Sequence, residues 1–218
     1  MHPVLAWGVD RRGVEVKRAI VIIGASGFGA EVAWICRRAG IGVAGFCDDA
    51  PDKQTGTHAE HPLLGTVDEA ARRLGRAVGY HVAIGDNRAR QRVAARADAL
   101  GWQAVTVVDP AAVCAPDVVP GPGCYIGIGC VVSRGVRLGR HVMVNLQATI
   151  GHDSAIGDFA QLCPGVRVSG GCRIGEGALL GSNAVTIPGR TIGAWSVLGA
   201  GSVAFRDLAD GGRQVRIP

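Results

Sequence analysis

Aromatic side chains are scarce: Phe, Trp and Tyr together make up 5% of the 218 residues. Charge is also sparse, at 19%, with no run of Lys or Arg and no stripe that interleaves aromatic with basic residues. Nothing in the composition therefore supports a nucleic-acid surface, which needs a concentrated basic footprint. No stretch approaches the roughly 20 apolar residues that span a bilayer, so membrane insertion is not expected. No two cysteines form a CxxC pair, and their number, seven, is odd. Neither a disulfide framework nor a zinc site follows from such a set. The cysteines read as small reduced core residues of a cytoplasmic protein. The opening MHPVLAWGVDRRGVEVK has only a short apolar stretch before charge intervenes. It does not read as a secretory signal. Residues 1–17 read as an extension, with Val14 or Val16 as an alternative start.

What is abundant is glycine, at 34 residues, against 48% hydrophobic residues. That balance suits a turn-rich β architecture with a real core. The net charge of +5 (23 basic minus 18 acidic) is mild and suits small anionic ligands.

Two halves of the chain follow different grammars. In the first, Ala19–Ile23 is a continuous β-branched run, suited to a buried parallel strand. Gly24-Ala25-Ser26-Gly27-Phe28-Gly29 follows, then a helix over 30–38 that ends at Gly40. A strand over 43–47 closes at Asp48-Asp49. A helix over 66–74 starts at a Thr cap. A strand over 81–84 leads through Gly85-Asp86-Asn87 into a basic helix over 88–99, and 105–108 is a fourth strand. Strands alternating with helices imply a small Rossmann-like parallel sheet over residues 18–107.

In the second half an apolar residue recurs at every sixth position, from Val108 through Ile126, Val144, Ile150, Ile156, Leu162, Val168 and Leu180 to Ala204. Only Pro120 and Thr186 are poor members, and no insertion breaks the register. A period of six fits neither a helix nor an alternating strand. It fits a coil in which three hexads close a triangular turn of eighteen residues, each apolar side chain stacking on its counterpart one coil away. This predicts a parallel β-helix over 108–206 with a tail over 207–218. The spacing does not set its hand.

These residues resemble the hexapeptide-repeat acyltransferases with their [LIV]-G-x-x-x-x units. The whole chain is similar to the subgroup in which a nucleotide-sugar-binding domain precedes the β-helix. That subgroup comprises sugar-nucleotide N-acetyltransferases acting on UDP-4-amino sugars or GDP-perosamine, and proteins of the sialic acid O-acetyltransferase type. Three patterns carry the match: Ile23–Gly29, Phe46-Cys47-Asp48-Asp49, and Ile150-Gly151-His152-Asp153-Ser154-Ala155-Ile156-Gly157-Asp158. The resemblance implies a left-handed β-helix, acetyl-CoA as cosubstrate, a nucleotide-linked amino sugar as acceptor, and a homotrimer with CoA between neighbouring prisms. The sequence departs from the pattern twice. Gln161 stands where a second histidine is common, nine residues after His152. The tail Gly212–Pro218 replaces the usual Gly-x-Pro-Ala ending.

Acetyl transfer from a thioester to an amine needs a base and an oxyanion donor but no covalent acyl-enzyme, and no metal-ligand constellation is visible in the sequence. His152 is the candidate base, because an imidazole titrates near neutral pH. His141 lacks the motif and reads as a surface residue. Asp153 would orient His152 if a corner brought the two side chains together, since neighbours on a straight strand face opposite ways. The resemblance places Asn145 near the substrate amine. One coil beyond 152 lies Gly170, followed by Gly171. A missing side chain there leaves room for the thioester, and the backbone N–H is a candidate oxyanion donor. Arg190 and Arg206 are candidates for CoA phosphates. In the first half, Gly24, Ser26, Gly27 and Gly29 form a loop whose N–H groups suit a diphosphate. The resemblance puts Asp48 and Asp49 near the base or ribose. Gly85 and Asn87 lie at the next strand end, where such sheets bind ligands. The reading is an acetyl-CoA-dependent sugar N-acetyltransferase of bacterial surface-glycan synthesis. The alternatives are O-acetylation of a sugar hydroxyl and a non-catalytic trimeric nucleotide-sugar-binding scaffold.

Overall fold

A computed structural model describes residues 19–215. The extension 1–17 with its alternative start, and the last residues Arg216–Pro218, lie outside the described residues. The chain forms two compact units, 19–85 with 92–105 and 86–91 with 106–215.

The first unit contains β1 (Ile20–Ile23), β2 (Val43–Cys47), a small antiparallel pair β3 (Thr57–His58) and β4 (His61–Pro62), β5 (Gly79–Val82) and β6 (Gln103–Ala104). The sheet order is β2-β1-β5-β6, parallel throughout. β1 lies inside the sheet with all four residues buried, which its β-branched apolar run demands. α1 (Gly27–Arg38) buries Gly29, Val32, Ala33, Ile35 and Cys36. It starts three residues before the expected 30, so the end of the glycine loop is itself the first helical turn. α2 (Val67–Leu74) begins with a full capping box: Glu69 N–H donates to Thr66 Oγ1 at 3.2 Å, and Thr66 N–H to Glu69 Oε2 at 2.8 Å. α3 spans Asn87–Ala99.

Two strand expectations shift. The strand expected over 81–84 is β5, two residues earlier, because Ile20 pairs with Gly79. A Cβ at Gly79 would meet Val105 Cγ2 at 3.0 Å and Ile20 Cγ2 at 3.1 Å, so glycine is what admits this strand so close to its neighbours. The single strand expected over 105–108 is instead two: β6 closes the sheet, while Val107–Val108 pairs with Tyr125–Ile126 as the first rung of the second unit.

That second unit is a parallel β-helix with three sheets of six, four and seven two-residue strands. Partners stand eighteen residues apart on each: Ile150 with Val168, Ile156 with Ile174, Leu162 with Leu180. The hexad residues fill its interior, joined by small side chains such as Cys130, Ala148, Ala160 and Ala184. The poor members keep register, Pro120 bridging to Leu138 and Thr186 pairing with Val168 and Ala204. The tail is not outside the coil. Leu208 bridges to Ile192, and Gln214 pairs with Leu198, an offset of sixteen rather than eighteen. The last coil is two residues short, which is why its hexads escape a sequence search.

All seven cysteines are free, five of them buried. Burial pushes the thiols of Cys36, Cys47 and Cys124 up to about 12 and that of Cys130 to about 11. Thiolates are the reactive form, so these groups are inert in the fold. Titration of the native protein with a disulfide reagent should label at most Cys114 and Cys163 promptly, and all seven after denaturation. Prompt native labelling of Cys36 or Cys124 would contradict the packing described. Among the described residues no helix is long and apolar enough to cross a membrane.

Candidate active site

His152 follows the strand Thr149–Ile150 and precedes Ala155–Ile156, so it occupies a corner of the prism. Asp153 adopts the left-handed conformation there, with φ of 59°. That turn supplies the geometry the sequence required, folding the carboxylate back beside the ring of its neighbour. His152 Nδ1 lies 2.8 Å from Asp153 Oδ2. An ionised carboxylate only accepts, so Nδ1 carries the proton and Nε2 presents its lone pair. Both side chains are open to solvent, at 71% and 75% exposure.

Gly170 stands beneath that ring. A Cβ there would fall 2.7 Å from His152 Nε2 and 2.8 Å from Cε1, so a side chain would displace the imidazole. Gly171, at φ of 68°, donates its N–H to the His152 carbonyl at 2.8 Å and ties the two coils together. The structure thus brings together His152, Asp153, Gly170 and Gly171. It does not bring Asn145 or Arg190 into hydrogen-bond contact with them. The buried Asn145 donates through Nδ2 to the Leu162 carbonyl at 3.2 Å. Arg190 Nη1 faces Asp207 Oδ1 at 3.5 Å, while its Nε is buried without a partner among the described residues.

Gln161 is half-buried, its Nε2 3.7 Å from Cys163 Sγ and its Oε1 without a partner among the described residues. His141 is not the surface residue its lack of a motif suggested. It is fully buried and stacked on Phe159, with centroids 5.1 Å apart, because the two occupy the same corner one coil apart.

In the first unit, Gly24 and Gly29 are constrained by space. At φ of 116°, a Cβ on Gly24 would lie 2.6 Å from the Ala83 carbonyl oxygen, and one on Gly29 would lie 2.1 Å from the Gly24 oxygen. They let loop, sheet and helix meet. Gly27 and Gly85 face open space instead. Ser26 precedes α1 without capping it through its side chain. An uncapped helix start with exposed Ser26 and Gly27 suits an anion.

The two aspartates differ. Asp48 braces the loop, its Oδ2 accepting Ala25 N–H at 2.8 Å and its Oδ1 accepting Ala50 N–H at 2.9 Å. Asp49 is half exposed and pairs with Arg96 at 2.7 Å. Arg96 also forks onto both oxygens of Asp68, and that guanidinium holds the Asp68 carboxyl below its usual range. Arg96 and His58, whose Nε2 lies 2.9 Å from the Ser26 carbonyl, escaped the sequence reading. Both are distant in sequence from the loops they touch, and no spacing rule connects them.

Asn87 belongs to the second unit with the start of α3. Its Nδ2 donates to the Gly177 carbonyl at 3.0 Å, and its Oδ1 accepts from Arg90 Nη2 at 2.8 Å. Arg90 is 1% exposed and also donates to the carbonyls of His141 and Phe159. The Asn87 side chain is therefore committed to packing against the β-helix corner.

Residues 19–97 match the PglD N-terminal domain family. An asparagine-for-histidine form of perosamine N-acetyltransferase from Caulobacter crescentus, in complex with CoA and GDP-perosamine, is 33% identical to this chain. The match covers 92% of this chain and 94% of that one, with a TM-score of 0.85. The acetyltransferase domain of PglB from Neisseria gonorrhoeae, in complex with acetyl coenzyme A, is 30% identical over 92% and 97% of the two chains, with a TM-score of 0.84. WeeI from Acinetobacter baumannii AYE, at 22% identity and a TM-score of 0.84 over 92% and 98%, shares the fold. No curated protein matches the chain. The architecture common to these structures is an α/β parallel-sheet unit followed by a left-handed β-helix.

Proposed function

This chain belongs to the family of acetyl-CoA-dependent sugar N-acetyltransferases that includes perosamine N-acetyltransferase, and from that premise we propose that it acetylates the primary amine of a nucleotide-linked 4-amino sugar with His152 as base. The observation that carries the reading is the stacking of Gly170 beneath the Nε2 edge of His152, with Nδ1 held by Asp153.

The chemistry follows from that corner. The amine attacks the thioester carbonyl and gives up a proton to His152 Nε2. Asp153 stabilises the resulting imidazolium and holds the ring in its tautomer. The Gly170 N–H receives the negative charge that develops on the carbonyl oxygen. The C–N bond forms, the C–S bond breaks, and the proton passes from His152 to the departing CoA thiolate. Ser26 and Gly27, at the uncapped start of α1, hold the diphosphate of the acceptor on a loop that Gly24 and Gly29 shape, and Asp49 with Gly85 flank its nucleoside.

The active assembly is a homotrimer with CoA between neighbouring prisms. Support comes from the outward face of one sheet, where Val113 and Val131 pair side by side at 63% and 44% exposure. Light scattering should give three times the chain mass, and a fully active monomer would contradict this. Acetyl-CoA and nucleotide sugars as joint substrates point to the cytoplasm.

The product distinguishes N- from O-acetylation. An amide survives hydroxylamine, whereas an ester is cleaved. A hydroxylamine-stable product of one added acetyl mass is expected, and a labile one would move the activity to a sugar hydroxyl.

A further inference from the structure

The hexad register calls for an apolar side chain at position 186, and the residue there is Thr186. It is fully buried, in line with Val168 and Ala204. A hydroxyl inside an apolar prism costs stability unless it is hydrogen-bonded. Its partners all belong to the corner that carries Gly170 or to the rung beside it.

At this position of the preceding coils the main chain bonds to itself. Ser133 N–H donates to the Ile150 carbonyl at 2.9 Å, and Gly151 N–H to the Val168 carbonyl at 2.8 Å. One coil on, Ser169 N–H donates to Thr186 Oγ1 at 3.1 Å. The same Oγ1 lies 3.2 Å from Cys172 Sγ, which reaches the Ile187 carbonyl at 3.4 Å. From the opposite side, the buried Ser154 Oγ donates to the Ser169 carbonyl at 3.1 Å and accepts Cys172 N–H at 3.2 Å. Both ends of the segment Ser169–Cys172 are thus held by side-chain hydroxyls.

The Ser169 carbonyl and the Gly170 N–H are the two ends of one planar trans peptide, and they point in opposite directions. Drawing the carbonyl inward onto the buried Ser154 therefore turns the N–H away from the prism interior. We infer that Ser154 and Thr186 are positioning residues that aim the Gly170 N–H at the reacting carbonyl. The inference rests on the reading of His152 as base and Gly170 as oxyanion donor. Neither hydroxyl touches the reacting atoms, and both act through the backbone. The register also explains why a threonine is tolerated there: a valine would serve the prism better and the corner worse.

The test compares Thr186→Val, Thr186→Ser, Ser154→Ala and His152→Asn in the full chain. Each is assayed for the single-turnover rate of acetyl transfer, using acetyl-CoA and whichever member of a UDP- and GDP-linked 4-amino-4,6-dideoxy sugar panel the parent accepts. Thr186→Val is expected to lower that rate about tenfold, a partial loss of an oxyanion donor worth about a hundredfold or more. The half-saturating acetyl-CoA concentration should move less than twofold, and the melting temperature should hold or rise. Thr186→Ser should restore most of the rate. Ser154→Ala should lower the rate similarly, and if it fails to fold Thr186→Val still decides. A Thr186→Val rate within twofold of the parent, with His152→Asn inactive, overturns this inference alone. So does a Thr186→Ser rate as low as that of valine, which would mark a packing effect. Near-full activity of His152→Asn, or no turnover of any sugar by the parent, overturns the reading beneath it.

Discussion

His152→Asn is expected to lower acetyl transfer by about 10²- to 10⁴-fold, the range for removal of a positioned general base. Asparagine keeps a donor near Asp153 but offers no nitrogen that takes a proton. The His152 side chain is 71% exposed, so its loss removes little buried surface. The change in folding stability should stay within about 0.5 kcal/mol. Rate and stability therefore separate. A variant with an unchanged melting temperature and a collapsed rate supports the role of the imidazole. An unchanged rate would show that the amine loses its proton elsewhere.

Gly170→Ala is expected to produce the second large effect, through space rather than through the backbone. Gly170 does not adopt a positive φ, so alanine fits its main chain. The added methyl would lie 2.7 Å from Nε2, 2.8 Å from Cε1 and 3.1 Å from Cδ2 of His152. The ring must swing away from Gly170. A displacement of this size costs about 10²-fold in rate. Because the ring is exposed and free to move outward, the melting temperature should change little. Gly171→Ala is the useful contrast. Its φ of 68° strains an L residue, while the nearest atom to its Cβ is 3.9 Å away. That variant should lose about 1–2 kcal/mol of stability and keep more of its rate than Gly170→Ala. Equal rate losses in the two variants would mean that Gly170 acts only as a turn residue.

The β-helix was legible because its rule is arithmetic. A hexad repeat without insertions fixes which residues face inward and which stand one coil apart, so Gly170 could be placed beside His152 by adding eighteen to 152. The same arithmetic failed at the end, where the final coil drops two residues and Leu208 meets Ile192. His141 was misjudged for want of a motif, and register alone does not show that Phe159 and Arg90 cover that corner.

In the first unit the helices and the first two strands followed from composition and caps, whereas β5 and β6 lie two residues earlier than expected and the β3–β4 pair was not anticipated. The contacts of the loops did not. Asp48, expected near the base or ribose, has a bracing role toward Ala25 and Ala50 that the sequence did not show. Arg96 reaches Asp49 and Asp68 across 47 and 28 residues of sequence, a relation only the folded chain displays. Asn87 lay at a strand end where a ligand was expected, but the start of α3 uses it to bind the carbonyls of Gly177 and Ala178. Thr186 was visible as a fault in the register. Its purpose became readable only when Ser169 and Cys172 were seen to bond to it.

Release of CoA thiol from acetyl-CoA, followed across a panel of UDP- and GDP-linked 4-amino-4,6-dideoxy sugars, tests the central claim most directly. One member should be turned over, in parallel with an amide product. Binding of acetyl-CoA without turnover of any member would contradict the assignment of a nucleotide-linked amino sugar as the acceptor.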